Sequence, residues 1–308
     1  MQIGRKDAVR YLIPRPIIGA LLAFSVLTLI ATFPGLAACL EDARARCMVA
    51  ACVDEGQVPC LADAQERCSE GSQKRYNDAQ KRFTDGKFRE AANMGEATKT
   101  SESLALAAEA LALYGHYHER DDKQTQFQRG KDLAERAITL NPCNSEAHLQ
   151  YAHTLGRIVE NKNLFGQFWD GVRAKFEAGD LHRMNDAFHT AKRLDPKNAR
   201  ACVGLATFHA AIVAHKSTLF DANRDDVLAN YECALENAPD SNVVHLAYAK
   251  ALWLLDQDKN VWLVRQHLDQ AMALDPKDAY GKIVLQDARM CLNELNNQGT
   301  LEQCMKRT

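Results

Sequence analysis

Ten histidines and ten cysteines are the side chains of this 308-residue sequence best suited to metal binding, proton transfer or thiol chemistry. Their spacing decides which of these is open. Two imidazoles chelate one ion from a single helix when they stand at i and i+4, as in the His-Glu-x-x-His zinc motif. No histidine pair here has that spacing. His116 and His118 would point about 200° apart on a helix. His148 and His153 are poorly aligned, and His209 and His215 fall on roughly opposite faces, so each histidine reads as a structural side chain. No Cys-x-x-Cys occurs, which removes the usual structural-zinc and dithiol signatures. A Gly-x-x-x-x-Gly-Lys phosphate loop and a Gly-x-Ser-x-Gly elbow are missing as well. Adjacent acids such as Asp121-Asp122 and Asp225-Asp226 fit helix starts, where carboxylates offset the helix dipole. The expectation is a protein with no catalysis, cofactor or metal of its own.

The cysteines point instead to disulfides. Five of them fall within residues 39–71, where Cys39-Leu-Glu-Asp-Ala-Arg-Ala-Arg-Cys47 is echoed by Cys60-Leu-Ala-Asp-Ala-Gln-Glu-Arg-Cys68. Glu55-Gly56-Gln57-Val58-Pro59 between the copies reads as a turn. The simplest structure is a short helical hairpin, with Cys52 opposite Cys60 near the turn and Cys47 level with Cys68 further out. Such staples would stabilise a helix pair too short to persist alone.

Disulfides belong to oxidising compartments, and the N-terminus agrees. Residues 17–33 are uncharged and apolar, follow Arg5, Lys6, Arg10 and Arg15, and precede Pro34-Gly35, which is the layout of an export signal. Leu36-Ala37-Ala38-Cys39 resembles the bacterial lipoprotein box, making Cys39 the lipidation candidate. Three fates stay open for residues 1–38: lipoprotein signal, cleaved signal, or retained membrane anchor. Each places the body outside the cytoplasm, in the bacterial periplasm. The chain carries a net charge of −2. Removing residues 1–38 takes away those four basic residues and Asp7, leaving about −5, so nothing electrostatic favours a nucleic-acid partner.

Four apolar-periodic segments end alike, at Leu140-Asn141-Pro142, Leu194-Asp195-Pro196, Asn237-Ala238-Pro239 and Leu274-Asp275-Pro276. Each has an alanine five residues before the proline (Ala137, Ala191, Ala234, Ala271), and each reads as a helix stopped by a residue that cannot continue it. Phe83-Thr-Asp-Gly86-Lys-Phe88-Arg-Glu-Ala91 gives a tight turn between two helical runs. The Gly-x-aromatic-x-x-Ala element and the Ala-to-Pro helix ends resemble the tetratricopeptide repeat, in which paired A and B helices stack into a solenoid. The resemblance covers roughly residues 74–290 and implies an all-α, right-handed helical-hairpin solenoid. The segment from Gly204 to Phe208-His209 and His215 is similar to exported bacterial tetratricopeptide proteins, some of them lipoproteins associated with periplasmic transporters.

The helical reading pairs residues 74–84 with 88–98, 101–118 with 127–140, 145–160 with 180–194, 199–215 with 224–237 and 242–256 with 261–274. A cap helix near 279–293 and a short C-terminal helix within 294–308 follow. Asn144-Ser145, Asn198, Ser241-Asn242 and Asp278 stand where N-caps are needed. Leu149, Ala152, Leu155, Leu205, Ala206 and Ile212 form core stripes. Residues 161–180 carry an aromatic-rich insertion, read either as an extra packed helix or as a binding element. The domain plan is therefore 1–38 signal or anchor, 39–71 cysteine hairpin, 72–293 repeat array and 294–308 C-terminal helix. Stacked pairs make a concave groove lined by A helices, and the candidate groove positions are Gln150, His153, Arg157, His209, Lys216, His245 and Lys250. The expected role is an envelope protein-protein interaction scaffold that binds a protein or peptide near the membrane. The alternative is a module for a small hydrophobic ligand associated with a transporter. A polar groove favours the first and an apolar cavity the second.

Overall fold

A computed structural model describes residues 70–118, 122–161, 174–216 and 220–306. All the regular structure in them is helical. The first elements are α1 (Glu70–Thr84), α2 (Phe88–Thr98), α3 (Ser101–Tyr117) and α4 (Lys123–Leu140). Then come α5 (Ser145–Asn161), α6 (Ala174–Leu194), α7 (Ala199–Ala214) and α8 (Arg224–Asn237). The array closes with α9 (Asn242–Leu255), α10 (Gln257–Ala273), α11 (Ala279–Gln298) and the short α12 (Glu302–Lys306). Odd-numbered helices from α1 to α9 are the A helices, even-numbered ones from α2 to α10 the B helices, and α11 caps the stack. Cys39 and the disulfide candidates Cys47, Cys52, Cys60 and Cys68 lie outside the described residues, as does most of the 161–180 insertion.

Local chemistry fixes the boundaries. Gly86 adopts a left-handed φ of 81°, a conformation that costs glycine little, and turns α1 into α2. Asn144, Asn198, Ser241 and Asp278 each accept a backbone N–H at the start of the following helix, satisfying donors that have no partner within the helix. At the other end, three of the four alanines that precede the prolines close their helices with their carbonyls: Ala137, Ala191 and Ala234 accept from Asn141, Asp195 and Ala238. The same carbonyls stitch repeats together. Ser101 donates to Ala137 O and Ser145 to Ala191 O, both at 2.9 Å. The next cap then donates to that serine, Asn144 to Ser101 at 2.8 Å and Asn198 to Ser145 at 3.3 Å.

Packing is close because the helix contacts are small. α3 is apolar around nearly its whole circumference, and Leu104, Ala105, Ala107, Ala108, Ala110 and Leu111 are each 1% exposed or less, as befits a helix surrounded by others. Leu149, Ala152, Leu155, Leu205, Ala206 and Ile212 are buried as expected. Gly204 lies directly under the ring of Phe188, leaving no room for a Cβ. Two disulfides are local staples: Cys202–Cys233 joins α7 to α8, and Cys291–Cys304 ties α11 to α12.

Successive A helices touch one another as well as their own B helices, whereas successive B helices lack comparable contact. The stack therefore curves with the A helices inside. The curve is tight enough to bring its two ends together. α11 touches α1, a Cβ on Gly86 would come within 2.8 Å of Ala279 Cβ, and Tyr280 and Ile283 pack on the core of α2 to α4.

Candidate functional site

The inner face gathers charge that no local motif announces. Arg200, in the first turn of α7, reaches Glu109 of α3 with Nη2 to Oε1 at 2.6 Å and Nη1 to Oε2 at 3.1 Å. Its Nη1 also lies 3.0 Å from Oε1 of Glu146 on α5, and Gln150 Nε2 donates to that same oxygen at 2.6 Å. One guanidinium thus joins three A helices in a bidentate and a single contact, a use to which its planar fork is suited. The side chains are graded in exposure, from Glu109 at 11% through Glu146 at 35% to Arg200 at 42%. Water reaches the arginine while the first carboxylate sits at the bottom. Burial pushes the Glu109 carboxyl up to about 7; Arg200 opposes this, and the neighbouring Glu146 adds to it.

A second charged group adjoins it where the array closes. Arg157 of α5 pairs with Glu160 at 2.9 Å. The Tyr117 hydroxyl donates to Asp287 of α11, and burial pushes its pKa up. The Tyr117 and Tyr280 rings lie 6.3 Å apart. His153 is held neutral, down to about 3, by burial and by the charges of Arg200 and Arg157. Lys250 is buried, and its Nζ has no hydrogen-bond partner among the described residues. Burial brings its pKa down to about 8, with Asp287 opposing and Arg157 adding.

Four of the sequence candidates, Gln150, His153, Arg157 and Lys250, therefore meet on the inner face. Their setting differs from the solvated one expected: Gln150 is fully buried against Glu146, and Lys250 is nearly so, near Asp287 of the closing helix α11. The other three go elsewhere. His245 is buried between α9 and α10, its Nε2 3.1 Å from Pro239 O and its Nδ1 3.0 Å from His267 Nδ1. His209 is buried on the opposite side of α7 from Arg200, and Lys216 is exposed just past the end of that helix. Glu109, Glu146, Arg200, Tyr117 and Tyr280 were not among the candidates. The one local trace was Glu109 itself, a lone charge in the otherwise apolar run Leu-Ala-Leu-Ala-Ala-Glu-Ala-Leu-Ala-Leu.

Two surface depressions lie away from this face. One of about 400 Å³ runs along α4 at Gln124, Gln128 and Asp132. The other, of about 420 Å³, opens between α6, α7 and α8 beside His209. Among the described residues no cluster of His, Cys, Asp and Glu has the arrangement of a metal site, and no helix is long and apolar enough to cross a membrane.

No protein-family model matches the sequence, and no curated protein does. The fold, however, resembles the crystal structure of a thermophilic TPR protein from Thermus thermophilus, with a TM-score of 0.51 and 16% identity, covering 71% of this chain and 99% of that one. At that identity the likeness is one of architecture, and it agrees with the helix pairs, caps and stitches above: the chain folds as a degenerate tetratricopeptide-like helical-hairpin solenoid.

Proposed function

We propose that this protein is an interaction scaffold of the bacterial cell envelope, binding a protein or peptide on the inner face of its solenoid. The observation that carries the reading is the charged lining. Arg200, Glu146 and Arg157 are water-accessible at 42%, 35% and 24% of their side-chain areas, and they present both signs of charge at fixed positions. Such a surface selects partners by complementary charge and hydrogen bonding. A small hydrophobic ligand would need an apolar lining there, and the inner face offers carboxylates, guanidinium groups and tyrosine hydroxyls instead. Export is supported by the basic head and apolar run of residues 1–38. The Cys202–Cys233 and Cys291–Cys304 disulfides suit an oxidising compartment. Tethering would come from a lipid on Cys39 or from the retained N-terminal segment.

Site-specific photocrosslinking in detergent-solubilised envelopes tests the binding face. A photoreactive residue at Arg157 is expected to capture a discrete protein band, while the same residue at Gln128 on the outer face captures none. Crosslinks from Gln128 alone, or from neither position, would overturn the reading. Intact mass of the mature chain tests the tether. A chain beginning at Ala38, or lacking lipid on Cys39, removes the lipoprotein form.

A further inference from the structure

The depression between α6, α7 and α8 is a candidate site in its own right. Three helices each contribute one face to it. α6 supplies His189, Lys192 and Arg193; α7 supplies Leu205 and His209; α8 supplies Asp226 and Asn230. Its floor is buried, with Leu205 at 2%, Asn230 at 6% and His209 at 7% exposed, while the α6 residues form the rim. Cys202 lies one helical turn before Leu205, and Cys233 one turn after Asn230. Their disulfide therefore pins the two helices beneath the pocket and holds the site in shape before any ligand arrives.

The electrostatics of this pocket are unbalanced in one direction. Lys192 is held by a neutral group, its Nζ 2.7 Å from Asn230 Oδ1, and Asn230 is in turn fixed by donating to Asp226 O at 2.7 Å. Arg193 forms no ion pair among the described residues. The one carboxylate, Asp226, is engaged as a helix cap, accepting the backbone N–H of Asn223 at 3.1 Å. Two cations thus face the cavity against one carboxylate, which forms no salt bridge with either of them, in a chain whose overall charge is slightly negative. His209 adds a buried ring whose Nδ1 has no hydrogen-bond partner among the described residues, and His189 stands 6.0 Å from it, centroid to centroid. Both imidazoles are held below their usual range by burial, with Lys192 adding at each, while Asp186 opposes at His189 and Asp226 at His209.

From this arrangement we infer that the pocket binds an oxyanion, a phosphate or a carboxylate, with Lys192 and Arg193 as the charged contacts and His209 beneath them. The depression is about 420 Å³ in volume and open to solvent along its rim. It leaves room for a short body beyond the anion, lying on Leu205 and Pro196. The inner face at Arg200 is on the opposite side of α7, so this site goes beyond the partner-binding reading and is tested separately from it.

The test is a titration of the full oxidised chain with inorganic phosphate, and in parallel with acetate, following the imidazole resonances of His189 and His209 by NMR. Sodium chloride at matched ionic strength is the control. A saturable shift with at least one anion is expected, with a rise in the pKa of both rings. Saturation by phosphate alone assigns a phosphoryl ligand, and saturation by acetate admits carboxylates. Arg193→Ala, a rim substitution that leaves the core intact, is expected to weaken binding by about tenfold, the loss of one charge-assisted contact. Lys192→Ala should act similarly, and Lys192→Arg should restore most of the affinity. Shifts reproduced by chloride, shifts that never saturate, or an affinity unchanged in both alanine variants would overturn the assignment.

Discussion

The two sides of α7 solve the problem of housing charge in opposite ways. On the inner side Arg200 is shared between Glu109 and Glu146, so that one positive charge answers two carboxylates from neighbouring repeats within one contact group. On the outer side Lys192 and Arg193 stand over buried polar atoms, outnumber the single carboxylate Asp226 and form no salt bridge with it. The first arrangement ties three repeats together while its water-accessible edges stay open to a protein partner, and the second is open to a small anion arriving from solution. A charged residue in a repeat protein is therefore informative less by its type than by whether its partner belongs to the same chain.

Arginine substitutions separate the two sides most sharply. Arg200→Ala would leave Glu109 buried beside Glu146 without a counter-ion. A fully dry pair broken in this way costs about 3–5 kcal/mol, but Arg200 is 42% exposed, and solvent screening reduces the expected loss to roughly 2.5 kcal/mol. Arg193→Ala should change stability by less than about 0.5 kcal/mol. Paired urea denaturation curves read both values. Equal losses in the two variants would mean that the inner contacts do not hold the array.

Gly204→Ala probes the layer between the two sides. The new methyl group would meet the Phe188 ring, which is also in edge contact with His153 at 5.5 Å. Overpacking at this point should cost about 1.5 kcal/mol and move inner-face His153 together with pocket residue His209. A stability loss with shifts confined to one side would show that the two faces are mechanically independent. A smaller effect is expected at the cap that sets the α7 start. Asn198→Ala removes acceptors for Arg200 N and Ala201 N and should cost about 1 kcal/mol. It should disturb the Arg200 contacts more than the pocket, which lies further along the helix.

Which parts of this were legible in the sequence follows from the range of the interactions. Helix pairs, proline stops and the caps at Asn144, Asn198, Ser241 and Asp278 depend on neighbours within a few residues, and they stand where periodicity placed them. Helix ends rich in polar residues were harder to place. α4 begins at Lys123 and not 127, α6 at Ala174 and not 180, and the cap helix α11 runs past 293 to Gln298, where Gly299 with φ 66° ends it. Those extra turns carry little apolar periodicity to mark them. The inner face was largely illegible because its partners are distant: Arg200 and Glu109 are 91 residues apart, and their meeting depends on how far the solenoid curves. The imidazole pair His245 and His267 escaped an i, i+4 search for the same reason, since the second ring belongs to the next helix.

The subtlest way to sharpen the comparison is pH. Glu109 titrates near 7 in the folded chain against an ordinary 4.5, so the folded state binds its proton more tightly, and this group makes the protein more stable as pH falls from about 7 to 4.5. His153 acts with the opposite sign. Its folded pKa of about 3 lies below the ordinary 6.5, so stability is lost as pH falls below 6.5, and His267, brought down to about 4, adds to that loss. In the wild type the two trends oppose each other between about pH 6.5 and 4.5. Glu109→Gln keeps an acceptor for Arg200 while removing the titration, and at neutral pH its net effect on stability should be near zero, as when a buried ion pair is replaced by neutral groups of similar volume. Below pH 6.5 the histidine term then acts unopposed, and the variant should lose stability on acidification more steeply than the wild type. Denaturation midpoints measured at pH 7.5, 6 and 5 give the two slopes. Parallel slopes would place Glu109 outside the titrating set and reduce the inner contacts to an ordinary ion pair.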